Sequence, residues 1–315
     1  KGNGKQFKEL QQKFYRKVLL KQPVAAPAKG FLKGESYLSF LECHVGSKYY
    51  LRVDVRDFFG SFQEDMIKDS IGRFIEDKEA QEIAFELCTV EGKLPQGAVT
   101  SPALSNIIFA RLDQRILKYC QVIEAQQRER YLNEKSWRNA SLHYTRYADD
   151  MLFSSDFFDF REKLFFFHMI SRILGEYGFQ INREKTIMTE KEISLNGYVV
   201  GSDIRLSRKK TADLRRILYF FKDDSAERYQ LDKKKLDDPV KLVKEINQFL
   251  SKTPGNTRKF SNIHRLIWYL GGCRSWIISV LRSEENIGNE VRNMKKLVRR
   301  TELLLDELSK IESKC

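Results

Sequence analysis

The stretch Tyr147-Ala148-Asp149-Asp150 decides how the rest of this chain is interpreted. It lies between two short apolar-rich segments, residues 142–146 and 151–154, and this pattern predicts a strand–turn–strand hairpin with two acids at its tip. Aspartate also suits tight turns for purely conformational reasons. The hairpin alone therefore leaves a solvated turn and a metal site equally open, and the other segments must decide between them.

A third acid is predicted on a strand of its own. Residues 49–55 alternate as a β-strand does, with Tyr50, Arg52 and Asp54 on one face and apolar side chains on the other. The apolar face is expected in the core, so Asp54 is expected on the working face of a sheet. An aspartate near a strand end is also a common cap or turn residue, and Asp54 by itself does not establish a site.

Two segments carry the sequence signals of a helix start. Ser61, followed three residues later by Glu64, has the form of a capping box. Residues 94–102 form a loop in which Gly97 allows close approach of backbone or ligand. Ser101 suits the N-cap of the following helix and Pro102 its first position. That helix carries an apolar stripe at Leu104, Ile108, Leu112 and Ile116.

The composition changes twice in the second half of the chain. Residues 121–140 are polar and charged, which predicts an insertion or mobile connection; whether it binds a partner stays open. Beyond residue 207 we predict helices at about 208–222, 239–252, 260–283 and 285–312. Basic clusters on these helices usually face solvent, but together they fit a domain that grips phosphate backbones. The candidate nucleic-acid contacts are Arg208, Lys209, Lys210, Arg215, Lys295, Lys296 and Arg299.

Composition and charge narrow the classes of function. The 315 residues are 42% hydrophobic, enough for a folded core, and the net charge is +13. A basic, aromatic-rich folded chain favours a polyanionic partner such as nucleic acid, although a merely basic surface is the alternative. No apolar run approaches the ~20 residues of a membrane span, and the five cysteines are scattered without metal-ligand spacing. We therefore expect a soluble cytoplasmic protein without a membrane partner.

Taken jointly, these motifs resemble those of reverse transcriptases in order and spacing. The residues that carry the resemblance are Val53-Asp54-Val55-Arg56-Asp57-Phe58-Phe59, Leu94-Pro95-Gln96-Gly97-Ala98, Thr100-Ser101-Pro102, Ser105-Asn106, Tyr144-Thr145-Arg146-Tyr147-Ala148-Asp149-Asp150, Ile181-Asn182 and Lys185-Thr186. The resemblance implies an α+β fold, a right-hand polymerase with fingers, a palm of antiparallel sheet packed on helices, and a helical thumb. Residues 1–48 would begin the fingers, residues 49–206 would form the palm with the remaining fingers elements, and residues 207–315 would form the RNA- or duplex-binding thumb.

The resemblance also implies a two-metal active site. Asp54, Asp149 and Asp150 would be the catalytic acids, and with the carbonyl of Val55 they would bind two Mg²⁺ ions. The implied dNTP and primer contacts are Phe59, Gln96, Gly97, Tyr147 and Lys185. Of these, Phe59 matches the aromatic residue that blocks a ribose 2′-hydroxyl, with core packing as its alternative role.

Among reverse transcriptases the chain is most similar to the retron kind, with three departures. Only His44 remains of an Asn-Ala-x-x-His segment, Leu195-Asn196-Gly197 stands where Val-Thr-Gly is usual, and Gly60 stands where proline is common. A related defence-associated reverse transcriptase is the neighbouring possibility. A group II intron maturase fits less well, because no endonuclease or separate DNA-binding domain follows the helical end.

The function implied is RNA-directed DNA synthesis in antiphage defence. The expected partners are a cognate structured noncoding RNA, its RNA–DNA product, dNTPs and an effector protein encoded nearby, with a higher-order complex possible. Two alternatives stay open: a defence enzyme that makes repetitive or protein-primed DNA, and a catalytically idle RNA-binding scaffold for an effector. The intact acids Asp54, Asp149 and Asp150 favour an enzyme over the scaffold.

Overall fold

The strand β1 (Tyr49–Arg56) lies in the middle of the main sheet. The computed structural model describes residues 3–130, 141–226, 229–236, 238–252, 258–283 and 289–312. On one side β1 pairs with β3 (Asp150–Ser155), whose hairpin partner β2 (Leu142–Tyr147) extends the sheet. On the other side it pairs with β4 (Gln180–Ile181) and β5 (Ile187–Glu190). All of these pairings are antiparallel, and the predicted hairpin is confirmed.

Both faces of β1 are covered. Leu51 and Val53 are fully buried, which confirms the predicted apolar face. Tyr50 on the opposite face is fully buried as well, and Asp54 is only 3% exposed. Asp54 therefore lies on a face of β1 that the surrounding structure largely covers. The physical reason is that β1 is a central strand, so neighbouring strands and side chains shield it on every side.

Helices pack around this sheet, and α5 is the longest of them. Its predicted apolar stripe from Leu104 to Ile116 is confirmed, since all four residues are buried in one core with β1. The helices of the first part of the chain are α1 (Asn3–Lys17), α2 (Tyr37–Leu41), α3 (Glu64–Ile71), α4 (Lys78–Cys88), α5 (Ser101–Arg130) and α6 (Phe165–Gly175).

The prediction of a loose connection at residues 121–140 is wrong for its first half. Residues 121–130 continue α5, because Cys120, Ile123 and Gln127 repeat at helical spacing and are all buried. The charged residues that suggested a loop occupy the exposed face of this helix. Residues 131–140 lie outside the described part of the chain.

The two predicted helix caps also differ from the structure. Helix α3 begins after Gln63, and the Ser61 hydroxyl instead donates to the Asp57 carbonyl at 2.8 Å. Ser101 is already helical, and its hydroxyl donates to the Pro95 carbonyl at 2.8 Å. Both hydroxyls bond backwards to a preceding carbonyl, a local alternative to capping that spacing alone does not reveal.

A second sheet contains three short strands, β6 (Ile193–Leu195), β7 (Tyr198–Val200) and β8 (Ile204–Leu206), in that order. The β-rich composition of residues 193–200 by itself favours one continuous strand. That strand is interrupted at Asn196-Gly197, where both residues have positive φ, 47° and 88°. Asn-Gly is the preferred pair for a two-residue hairpin turn of this kind, so the signal was present in the sequence.

The last part of the chain is helical, as predicted. Its helices are α7 (Arg208–Phe220), α8 (Pro239–Ser251), α9 (Ile263–Ser283) and α10 (Asn289–Glu312). Residues 285–288, which the sequence assigned to the last helix, lie outside the described part. The chain divides into two compact units, Lys1–Ile193 with Val200–Asp203, and Ser194–Val199 with Ile204–Cys315.

The predicted α+β class, with an antiparallel sheet packed on helices and a helical C-terminal region, is confirmed. The division of residues 1–48, 49–206 and 207–315 into fingers, palm and thumb stays a prediction. Within the described ranges, no helix is both long enough and apolar enough to cross a membrane.

Candidate active site

The sheet brings the three predicted acids to one end. In the pairing of β1 with β3, Asp54 lies directly opposite Asp150. The hairpin link between β2 and β3 is only Ala148-Asp149, and the Val55 amide donates to the Asp149 carbonyl at 3.0 Å. Residues almost a hundred positions apart in the chain thus place their carboxyl groups in one neighbourhood.

Two cations neutralise part of this acidic cluster. Arg52, two residues before Asp54 and on the same face of β1, donates from Nε to Asp150 Oδ1 at 2.8 Å. Lys185 donates from Nζ to Asp54 Oδ2 at 3.2 Å. The carboxyl group of Asp54 is nearly buried, whereas the side chain of Lys185 is 57% exposed. Lys185, a predicted substrate contact, is therefore joined to a predicted catalytic acid and remains accessible from solvent.

Asp149 lies close to the negative charges of the other two acids. Burial raises the pKa of Asp149 above its ordinary value, and the charges of Asp150 and Asp54 raise it further. Lys185 acts in the opposite direction but does not cancel these effects. Carboxylates that repel each other in this way favour a cation between them.

The donor chemistry fits a hard divalent cation that takes only some of its ligands from protein. Mg²⁺ typically binds through one or two carboxylates, with water and substrate phosphates completing the shell. Among the described residues, no three acidic, histidine or cysteine side chains surround a single point. Arg52 engages Asp150 and the exposed Lys185 engages Asp54, and Val55 follows Asp54 with its side chain in the core.

Aromatic rings line the approach to the hairpin turn. The Tyr147 ring lies 5.0 Å from that of Tyr37 and 6.0 Å from that of Phe31, measured between centroids. Phe31 also lies 6.3 Å from Phe59, so it connects two of the predicted substrate residues. Sequence reasoning missed Phe31. Its φ of 63° is rare for an aromatic residue, and nothing in the local sequence signals it.

Gln96 and Gly97 are not joined to the acids by any contact described in the structure. Both are exposed and lie in the loop before α5. Next to them, the Pro95 carbonyl accepts the Ser101 hydroxyl at 2.8 Å and the Ala98 amide at 3.4 Å. Their predicted role as substrate contacts therefore stays a prediction.

A buried ion pair between Arg146 and Asp113 supports the hairpin turn. Arg146 and Asp113 are both fully buried, and Arg146 donates to the carboxylate from Nε at 2.9 Å and from Nη2 at 2.8 Å. Its Nη1 donates to the carbonyl of Ala148, inside the turn, at 3.2 Å. Burial by itself would lower the pKa of Arg146, but the charge of Asp113 and the bonds to it raise it instead. The guanidinium also lies 4.4 Å from the Phe109 ring centroid.

Sequence reasoning missed this pair, although a signal existed. Tyr144 and Arg146 alternate onto the same face of β2, and an arginine on a buried face requires an acid. Asp113 lies next to the buried Leu112 of the α5 stripe and also accepts the Tyr144 hydroxyl at 2.7 Å. The sequence could suggest that Arg146 needs a partner but not which acid supplies it.

The segment before α2 braces the same turn. The Lys29 amide donates to the Arg146 carbonyl at 2.7 Å, and Asn106 donates to the Gly30 carbonyl at 2.8 Å. A Cβ at Gly30 would lie 2.9 Å from the backbone nitrogen of Ala148. Only glycine allows this approach, which gives a structural reason for glycine at a position that the sequence presented as an ordinary loop.

His44, the residue that remains of the retron-like segment, ties the two strands of the hairpin together. One ring nitrogen lies 2.7 Å from the Thr145 hydroxyl on β2 and the other 2.7 Å from the Ser154 hydroxyl on β3. Burial and, to a smaller extent, charge repulsion from His143 together lower the pKa of His44 to about 3. The ring is therefore neutral near pH 7, and its role in this structure is to support the hairpin.

Two of the predicted basic contacts line a cleft in the C-terminal unit. Arg215 of α7 and Lys296 of α10 line a cavity of about 500 Å³ with Lys222, Arg300 and Tyr219. Of the described residues that line it, none is acidic. The other predicted contacts, Arg208, Lys295 and Arg299, are exposed on the same two helices, and the side chains of Lys209 and Lys210 lie outside the described part.

The sequence profile of the family described as "Reverse transcriptase (RNA-dependent DNA polymerase)" matches residues 4–200. This range contains all three acids and the elements that bring them together. The chain belongs to the reverse transcriptase family.

Curated relatives place it near retron enzymes, which confirms the predicted resemblance. It is 28% identical over 263 residues to the retron Mx65 reverse transcriptase of Myxococcus xanthus, covering 77% of this chain and 57% of that protein. It is 27% identical over 228 residues to the retron Ec86 reverse transcriptase of Escherichia coli, covering 71% of this chain and 65% of the relative. The match thus spans about three fifths of the length of these relatives.

The solved structures that align with this chain are more distant in sequence. Apo telomerase from Candida tropicalis aligns with 98% of this chain and 55% of its own, at 10% identity and a TM-score of 0.45. A foamy viral protease–reverse transcriptase bound to double-stranded DNA aligns with 91% of this chain and 40% of its own, at 17% identity and a TM-score of 0.37. The family assignment rests on the sequence match and not on these scores.

The buried ion pair predicts a large stability effect for Arg146→Met. The substitution leaves the Asp113 charge buried without a cation, so the free energy of unfolding in urea should fall by about 3–5 kcal/mol. Arg73→Met is the matched control, because Arg73 pairs with Asp69 on an exposed helix face, and it should change stability little. Adding Asp113→Asn to Arg146→Met should recover part of the loss, since no buried charge then remains. Equal stabilities for the Arg146 and Arg73 variants would contradict this account.

His44 predicts how stability depends on pH. Its folded pKa, about 3, lies below the unfolded value of 6.5, so the neutral ring contributes stability that is present above pH 6.5 and is lost as the pH falls towards 3. Over this window the contribution should decline by about 1.4 kcal/mol per pH unit. Urea unfolding at a series of pH values should show a shallower decline for His44→Gln than for the unsubstituted chain. His168→Gln, at an exposed position, is the control; if it flattens the curve as much as His44→Gln, the assignment is wrong.

Proposed function

We propose that the chain is an RNA-directed DNA polymerase whose catalytic acids are Asp54, Asp149 and Asp150. The observation that carries the proposal is the convergence of these three carboxylates at one end of the sheet, in a chain of the reverse transcriptase family. In the proposed division, residues 1–48 begin the fingers, residues 49–206 form the palm with the remaining fingers elements, and residues 207–315 form the thumb.

Asp54 and Asp149 would hold divalent metal, with the carbonyl of Val55 completing the protein ligands and Asp150 as the third acid. When bound, two Mg²⁺ ions would neutralise triphosphate charge and make a primer 3′-hydroxyl a better nucleophile. Burial and the acidic neighbours raise the pKa of Asp149. This supports the assignment, because a bound cation would supply positive charge that these carboxylates lack. Arg52 orients Asp150 towards the same point.

The remaining residues of the site would orient and select the nucleotide. Lys185, joined to Asp54 yet largely exposed, is suited to stabilise negative charge on the departing pyrophosphate. Phe59 would exclude a ribose 2′-hydroxyl, and its half-buried position beside Phe31 supports a rigid steric role. Tyr147 would pack beside the primer end, and Gln96 with Gly97 would line the nucleotide and template pocket.

The basic cleft between α7 and α10 would contact a nucleic-acid backbone. Arg215, Lys222, Lys296 and Arg300 supply positive charge, and Tyr219 is 61% exposed among them. Phosphate contacts from lysine and arginine give affinity without sequence preference. The predicted contacts Arg208, Lys295 and Arg299 would extend this surface along the same helices.

The template and role that we propose follow the resemblance to retron enzymes. The chain would copy part of a cognate structured noncoding RNA into DNA that stays joined to RNA. This product would serve antiphage defence with an effector encoded nearby, within a higher-order complex. Support comes from the motif resemblance and from the retron relatives.

Asp149→Asn should abolish polymerisation without unfolding the chain. The amide keeps the shape of the side chain but removes the charge that would hold metal, so primer extension on an RNA template with dNTPs and Mg²⁺ should fall at least about 100-fold. Asp156→Asn, which changes an exposed acid just beyond β3, should extend primers normally. RNA binding should be unchanged in both variants. Undiminished extension by Asp149→Asn would exclude this residue from catalysis.

The nucleic acid that copurifies with the protein from its native operon identifies the template. We expect one RNA of defined sequence joined to DNA. Repetitive or protein-linked DNA would instead assign the chain to the other class of defence enzyme with the same acids. RNA without DNA, even when dNTPs and Mg²⁺ are supplied, would refute the polymerase and leave the scaffold.

A further inference from the structure

A second cavity, of about 780 Å³, is lined by residues other than those of the acidic cluster and of the basic cleft. All of its lining residues belong to the C-terminal unit, and α9 supplies Trp268, Tyr269 and Trp276. Its volume is within the range of pockets that enclose a small organic ligand. None of the residues that line it was among the predicted site residues.

Gly272 is an interior residue of α9 and lines the cavity without a side chain. Glycine is the least favourable residue in a helix interior after proline, so its presence there needs a reason. The backbone of Gly272 does not adopt a positive φ, and a Cβ added to it would meet no described atom within 4 Å. The same is true of the neighbouring Gly271, but of the two it is Gly272 that lines the cavity, where it leaves the helix backbone open to a ligand.

Two indole rings flank this bare position. Trp268 precedes Gly272 by four residues and Trp276 follows it by four, so all three lie on one face of α9. Trp268 is 60% exposed, and Trp276 packs edge-on against Tyr198 with ring centroids 5.3 Å apart. An accessible indole next to uncovered backbone provides a stacking surface for a flat ring.

An ion pair between Arg258 and Asp213 lines the same cavity. Arg258 donates from Nε to Asp213 Oδ2 at 2.9 Å, and its guanidinium lies 4.2 Å from the Tyr269 ring centroid. Arginine offers donors and aspartate offers acceptors, which together match the mixed edge of a purine base. The hydroxyls of Ser194 and Ser207 line the cavity as well. An aliphatic ligand would use neither the ring surfaces nor these polar groups.

We propose that this cavity binds a purine base, stacked on Trp268 over Gly272, with its polar edge towards Arg258 and Asp213. The base can belong to a free nucleotide or to an unstacked position of a nucleic-acid strand, since both present the same ring and edge. The proposal does not depend on the polymerase activity, because its residues are separate from Asp54, Asp149 and Asp150.

Tryptophan fluorescence provides the test, since two of the three tryptophans of the chain line the cavity. The full chain, freed of nucleic acid at high salt, is titrated with adenosine and guanosine monophosphate and then with a single-stranded purine oligoribonucleotide. EDTA is present throughout, so that metal-dependent nucleotide binding at the acids does not contribute. We expect saturable quenching by at least one of these probes.

Gly272→Leu fills the proposed slot and should weaken binding at least about tenfold. Gly271→Leu is the matched control: it makes the same change in the same helix, where a Cβ also meets nothing within 4 Å, but Gly271 does not line the cavity. Leucine favours the helix more than glycine does, so both variants should unfold at or above the temperature of the unsubstituted chain. If Gly272→Leu nevertheless fails to fold, Trp268→Leu, measured by equilibrium dialysis, replaces it.

Quenching by the free nucleotides that Gly272→Leu weakens would establish a nucleotide site. Quenching by the oligoribonucleotide alone, again weakened by Gly272→Leu, would establish a site for a base within a strand. Absence of saturable quenching by any probe would overturn the proposal, as would equal weakening by Gly271→Leu. Asp149→Asn should bind like the unsubstituted chain, so failure of the polymerase proposal would leave this result unchanged.

Discussion

The buried pair of Arg146 and Asp113 is the interaction on which the candidate site depends. It joins the long helix α5 to the strand that leads into the acidic turn, and the same guanidinium holds the Ala148 carbonyl inside that turn. A charge in a protein interior is tolerated only with a partner. The sheet, the helix and the segment at Gly30 therefore have to meet in one arrangement, which fixes the turn while leaving Asp149 partly accessible.

Bringing the three acids together costs electrostatic energy, and their ion pairs with Arg52 and Lys185 reduce this cost. Three carboxylates in one neighbourhood repel each other, and burial together with this repulsion raises the pKa of Asp149. Arg52 and Lys185 each neutralise one of the other two acids. Arg52 lies on β1, whereas Lys185 is largely exposed, so one of the two ion pairs is open to solvent.

The C-terminal unit contains two surfaces with different physical characters. The cleft at Arg215 and Lys296 is rich in positive charge. This charge favours the binding of phosphate, and such binding weakens as the salt concentration rises. The cavity at Trp268 and Gly272 is rich in ring surface and contains a balanced ion pair, which favours stacking. Charge runs in the sequence pointed to the first surface. Nothing in the sequence pointed to the second, because its walls come from segments far apart in the chain.

The sequence by itself determined the hairpin, the buried stripe of α5, the four C-terminal helices and the family, because each follows from local periodicity or from a run of motif residues. It misassigned residues 121–130, where a charged helix face resembles a loop. Only the tertiary structure decided that Asp113 partners Arg146, that Asp54 is covered on both faces, and that Gly30 touches the turn. Those outcomes depend on which distant segments meet in the packed core, and residue spacing along the chain does not contain that information.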